Sequence, residues 1–215
     1  MGEEVSVEIE GHTLELLPEH AAYWRAEKLL LVADLHLGKA QTFQTFGLPV
    51  PSGAETTDLE RLAALVKRLK PERVALLGDI LHSRVGLREN LVAQVASSFG
   101  RLDAEVLLIA GNHDRAALGR VATSAKLEMH AQLELHGVCL THIPLERGAF
   151  IAGHVHPRAT LRIEGDMVKL PCFVLEGAGL TLPGFSSFAA GANIARREGR
   201  RRFVIAGEHV VPLDD

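Results

Sequence analysis

Residues 29–36 read LLLVADLH, an uninterrupted apolar run that ends abruptly in Asp34 and His36. A run of this kind, with no polar alternation, is what a strand buried on both faces requires. The pattern recurs twice, in RVALLGD (73–79) and in EVLLIAGNHD (105–114), and each copy again runs into polar residues. Between the copies lie helical periods. DLERLAALVKRLKP (58–71) puts Leu59, Leu62, Val66 and Leu69 on one face and is stopped by Pro71. ENLVAQVASSF (89–99) does the same through Leu91, Val95 and Phe99. The order strand–helix–strand–helix–strand predicts right-handed crossovers and a parallel α/β core.

Outward from this core the chain changes character. EIEGHTLEL (8–16) alternates about Gly11 and reads as an opening hairpin. Residues 47–57 form a loop rich in Pro, Gly and Thr. Beyond residue 130, short strand-like runs separated by turn signals dominate: QLELHGVCLTH, GAFIAGH, ATLRIEGDMVKL, CFVLEGAGLTL and RFVIAGEHVVPL. Neither a linker nor a repeat separates the halves, so residues 1–215 are expected to form one domain. At 47% hydrophobic and 23% charged residues the composition is that of a soluble globular chain. A formal net charge of −4 announces no nucleic-acid binding in bulk, so any such site must be a local patch. No apolar run approaches the ~20 residues of a membrane span. MGEEVSVEIEGH lacks the basic start and apolar stretch of a secretion signal, and Cys139 and Cys172 each sit inside an apolar run. Buried free thiols in a cytoplasmic protein are the expectation.

Chemistry gathers at the strand ends. The first three buried strands end in Asp34-Leu35-His36, Gly78-Asp79 and Gly111-Asn112-His113-Asp114; two later ones end in Thr141-His142 and Gly153-His154-Val155-His156. Carboxyl ends of parallel strands are where α/β sheets collect ligand-binding groups. Singly, each motif has a bland reading: D-x-H as a cap, GD as a turn, H-x-H as a surface pair. Caps and turns do not account for all of them together in this order. Carboxylate, imidazole and amide groups suit borderline ions such as Mn²⁺, Fe, Zn²⁺ or Ni²⁺ rather than calcium. Seven ligands drawn from these motifs exceed what one catalytic ion can take while keeping open positions, and suit two ions about 3.5–4 Å apart.

As an ordered set from Asp34 to His156, these motifs resemble the calcineurin-like metallophosphoesterase superfamily. ADLHLGK (33–39), LPVPSG (48–53), THIP (141–144) and LPGFSSFAAGANI (182–194) are similar to one branch of it, the ligase-associated DNA damage response endonucleases of the PdeM type. The resemblance implies a four-layer α/β/β/α sandwich with mixed sheets. It implies a first ion, most simply Mn²⁺, held by Asp34, His36, Asp79 and His156, and a second held by Asp79, Asn112, His142 and His154. A hydroxide bridging the two ions would attack phosphorus. His113 would protonate the leaving oxygen as general acid. Where many relatives carry GDxxD, this chain reads GDILH; His82 takes the last place and is expected to orient His113.

The substrate the resemblance implies is single-stranded or distorted DNA, in association with a bacterial ligase repair set. The metal motifs alone would serve a nucleotide or other small phosphoester equally, and a metal-free scaffold that binds protein partners is a further alternative. Lys39, Arg84, Arg115 and Arg158 each follow a site motif, and one or two of them are expected to meet substrate phosphates. RREGRRR (196–202) reads equally as a phosphate-backbone patch and as a solvated charged turn. Asp114 either supports His113 or caps the next helix. His12, His20, His130, His136 and His209 receive no role.

Overall fold

A computed structural model describes residues 5–47, 54–82, 89–112, 115–187 and 190–213. The expected α/β core is there. Strands β1 (Val5–Ile9), β2 (His12–Leu17), β3 (Ala21–Trp24), β4 (Leu29–Ala33), β5 (Arg73–Leu77), β6 (Glu105–Ile109) and β7 (Met129–His130) form one sheet in that spatial order. Pairing is antiparallel from β1 to β4 and parallel from β4 to β7. The apolar runs are continuous because both faces are covered. Leu30, Val32, Val74, Leu76, Val106 and Leu108 face α2 (Ala54–Leu69), α3 (Glu89–Phe99) and α4 (Arg115–Ala125). Leu29, Leu31, Ala75, Leu77, Leu107 and Ile109 face the second sheet.

That second sheet runs β15 (His209–Leu213), β14 (Arg200–Ala206), β12 (Asp166–Glu176), β13 (Gly179–Thr181), β10 (Ala149–Ala152), β9 (Val138–Leu140), β8 (Leu133–Leu135), and β11 (Arg158–Ile163) pairs with β12. It is mixed, since β10 runs parallel to both neighbours while the other pairs are antiparallel. The two mixed sheets pack through Val138, Leu140, Ile151, Phe173, Leu175 and Phe203. The helical cover that the resemblance implied outside this sheet is absent among the described residues, where every helix precedes Leu127. Ala159 of β11 and Ile194 instead pack on the outward-facing Cys172, Val174 and Val204.

Several elements escaped the sequence pattern: β3 and β7, four and two residues long, the 3-10 turn Arg25–Glu27, α1 (Lys39–Thr45) with fewer than two full turns, and α4, which follows directly on GNHD. All but α4 are too short to register a period. Both cysteines are free and buried, and burial pushes the Cys172 thiol up to about 12.

Candidate metal centre

The site is built where strands stop. β4 and β5 continue in register beyond their ends: the Asp34 amide donates to the Gly78 carbonyl (3.3 Å), that of His36 to Asp79 (2.9 Å) and that of Leu37 to Ile80 (2.8 Å). Along this extension the backbone turns sharply. Asp34, His36, Asp79, His154 and His156 all adopt positive φ, between 40° and 69°. Asp and His tolerate this region better than bulky residues, yet each such position costs about 1–2 kcal/mol. Five strained residues within one cluster mark a site where side-chain aim outweighs backbone comfort.

Two glycines permit the close approach. A Cβ on Gly78 would lie 2.1 Å from Nδ1 of His142, and one on Gly153 would lie 2.5 Å from Oδ2 of Asp34. Only glycine fits at either place.

The side chains gather into two groups. Asp34, His36 and His156 bring their ligand atoms within 4.8 Å of one another, and so do Asp79, His142 and His154. His154 and His156 of the H-x-H motif thus fall in different groups. Asn112 joins the second, its Oδ1 lying 3.0 Å from Nε2 of His142. The tautomers follow from the outer contacts. His156 donates Nδ1–H to the Ala190 carbonyl (2.8 Å), and His142 directs Nδ1 toward the Leu77 carbonyl (3.4 Å). Their Nε2 lone pairs therefore point inward. Around Nε2 of His142 stand Oδ1 of Asn112, Oδ1 of Asp79 at 3.6 Å and Nδ1 of His154 at 3.1 Å. Oδ1 of Asp34, Oδ1 of Asp79 and Nδ1 of His36 are buried without a hydrogen-bond partner. Convergent acceptors without donors are destabilising unless a cation joins them. The donor set fits two divalent ions.

Electrostatics agree with that fit at His36 and His154. Burial, reinforced by His156, Lys39, His82 and His142, pushes the His36 imidazole down to about 3, so it stays neutral and able to ligate. Burial followed by the neighbouring His142 lowers His154. For His156 burial also opposes charge, but the hydrogen bond and negative charge of Asp34 and the Ala190 carbonyl outweigh it and raise the imidazole.

Around the first group runs a strap that the sequence pattern did not assign, made by residues 182–187 and 190–194 of the LPGFSSFAAGANI stretch. The Phe185 amide donates to the Ala33 carbonyl (2.8 Å) and the Ser186 amide to that of Asp34 (3.2 Å), while Ala190 receives His156. The strap is fixed in turn by α2. Asp58 accepts from the Ser187 amide at 3.2–3.3 Å, and Arg61 donates to the Phe185 carbonyl, lies over its ring at 4.1 Å and pairs with Asp58 at 3.4 Å. Asp58 is 2% exposed, and burial raises its carboxyl despite Arg61. The only signal in the sequence was an acid and an arginine at i and i+3 on an otherwise apolar helix face, which reads as an ordinary helix pair.

Of the remaining candidates, His82 stands beside His36, with ring centroids 5.5 Å apart. His113, Asp114 and Arg84 lie outside the described residues, and so does the side chain of Arg115. Arg158 donates to the Lys169 carbonyl across the β11–β12 pair (3.2 Å). In the RREGRRR stretch, Arg197 and Arg200 pair with Glu176, and Arg202 donates to the Ile194 carbonyl. Those arginines tie down a turn.

Comparison with known proteins adds three findings. Residues 27–147 match the family model described as calcineurin-like phosphoesterase. The whole chain is similar to the crystal structure of the Pseudomonas putida nuclease MPE, with a TM-score of 0.80, 34% sequence identity, and coverage of 98% of this chain and 100% of that one. A protein of unknown function from Aquifex aeolicus, AQ665, matches at 19% identity over 60% of this chain and 78% of that one, with a TM-score of 0.39. The last is too distant to carry an argument. No curated protein matches.

Proposed function

The chain belongs to the calcineurin-like phosphoesterase family, and from that premise we propose that it is a dinuclear-metal phosphodiesterase that cuts nucleic acid. Asp34, His36, Asp79 and His156 would hold the first ion, and Asp79, Asn112, His142 and His154 the second. Mn²⁺ is the ion proposed. The observation that carries this reading is the convergence of acceptors around Nε2 of His142, with orphaned oxygens on Asp34 and Asp79 beside it. Once bound, such a pair of ions supplies Lewis acidity toward the phosphate and an activated water for attack on phosphorus.

The chain's own residues do the rest. Asp34 is fixed by the His154 amide, 2.8 Å from its Oδ2, so it aims without searching. His113, next in the chain to Asn112, delivers the proton that a sugar alkoxide needs in order to leave. His82 is proposed to orient it. The full-length similarity to a nuclease favours a polynucleotide over a small ester, and the branch motifs favour single-stranded or distorted DNA and work alongside a DNA ligase in repair.

A metal-by-substrate screen tests the reading, with single-stranded DNA, duplex DNA, RNA and mononucleotides each assayed over Mn²⁺, Zn²⁺, Ni²⁺ and Fe²⁺. Cleavage of single-stranded DNA is the expected result. Turnover of mononucleotides without cleavage of any polymer would overturn it. A finer test separates the acid from the ions. His113→Ala should lose DNA cleavage but keep most hydrolysis of a bis-nitrophenyl diester, whose leaving group needs no proton.

A further inference from the structure

α1 follows the D-x-H motif at once, and its side chains are spaced in an unusual way. Lys39, Phe43 and Phe46 stand at i, i+4 and i+7 and so share one helical face. The Lys39 ammonium lies 5.9 Å from the Phe43 ring centroid. Phe43 in turn lies 5.9 Å from His82, and His82 lies 5.5 Å from His36. A continuous wall therefore leads from the first ligand group out along α1. Phe46 ends it at 68% exposure, more than any other large apolar side chain among the described residues. The Lys39 amide donates to the His36 carbonyl (3.2 Å), so α1 starts directly beside the first ligand group.

A cation beside the reacting phosphate, followed outward by two phenyl rings, is the arrangement that holds a single strand. The cation takes a backbone phosphate, and each ring offers a face to an unstacked base. A duplex, whose bases are already stacked, offers no such face. Resting on the nuclease reading above, we propose that Lys39, Phe43 and Phe46 form the binding platform for the single-stranded segment flanking the scissile phosphate. Lys39 holds the neighbouring phosphate, and Phe43 and Phe46 stack on the next bases.

The test uses the Mn²⁺-loaded enzyme, an oligothymidylate, and a bis-nitrophenyl phosphodiester that has no flanking base. Phe46→Ala removes an exposed ring, so thermal unfolding should match the parent. Its KM for the oligonucleotide should rise about tenfold with kcat little changed, a larger loss than on the diester. Phe46→Trp should restore binding. Lys39→Gln should flatten the dependence of log Kd on log salt by about 0.7. Met167→Ala, an exposed apolar residue on β12, serves as the control and should leave oligonucleotide KM unmoved. If the parent enzyme cleaves the oligonucleotide and Phe46→Ala leaves its KM unchanged, or raises KM equally on both substrates, the platform is wrong and the nuclease reading stands. If the parent cleaves and binds no polynucleotide, both fall.

Discussion

Asp34, the carboxylate of the first ligand group, is fully buried, accepts from the His154 amide on its side chain and accepts from the Ser186 amide of the strap on its backbone carbonyl. In the second group His154 and Asn112 are exposed, and a cleft lined by Gly111, Asn112, Thr141 and His142 opens beside them. The two groups stand in contact, with Nδ1 of His142 only 3.6 Å from Oδ1 of Asp34. Their difference lies in what holds them from behind. Outer hydrogen bonds that fix a ligand before the ion arrives raise affinity, because less ordering remains to be done on binding. On the proposed reading the first group would therefore hold its ion more tightly, and the second would be the more open position.

The largest expected effect comes from Asp79, the residue the two positions are proposed to share. Asp79→Ala should reduce hydrolysis of every phosphodiester to background and lower metal content at both positions, measured by elemental analysis of the purified variant. His130→Ala, which removes no member of either ligand group, should change little.

Next is the strap, which should act on the first position alone. Arg61→Ala leaves Asp58 buried without its partner, and should cost about 3 kcal/mol in denaturant unfolding. It should also weaken the tighter ion about tenfold while sparing the weaker one. Equal weakening of both would remove the distinction between the positions. Gly153→Ala drives a methyl group against Ala33 and Asp34 and should cost about 1–3 kcal/mol by the same assay.

The smallest effect is one of pH, at the far end of the strap. His20 donates from Nδ1 to the Gly184 carbonyl at 2.8 Å, and burial, the largest influence, lowers its imidazole below the ordinary 6.5. The unfolded chain therefore takes up a proton at a higher pH than the folded one does. Stability should be unaffected above that ordinary value and fall as pH drops below it toward the folded value. Denaturant curves at about pH 7.5 and about pH 5.5 should differ less in His20→Gln than in the parent.

Much of this was legible in the chain itself. The buried strands announced themselves because both faces are covered, and the ligand types stood at their ends because parallel sheets present those ends together. The assignment of His154 and His156 to separate groups followed the family resemblance, and the geometry divides them the same way. What stayed hidden was whatever depends on contacts distant in sequence. Asp58 and Arg61 meet Ser187 and Phe185 across more than a hundred residues, and no local pattern encodes that meeting. The cover on the outer face of the second sheet was hidden too, since short alternating strands look the same whether a helix or a hairpin arm covers them.

Calorimetric titration of the metal-free protein with Mn²⁺ tests the central claim most directly. The account predicts two binding events per chain of unequal affinity, with His154→Ala abolishing the weaker and leaving the tighter nearly intact. A single event per chain, or a His154→Ala variant that loses the tighter ion and keeps the weaker, would contradict it.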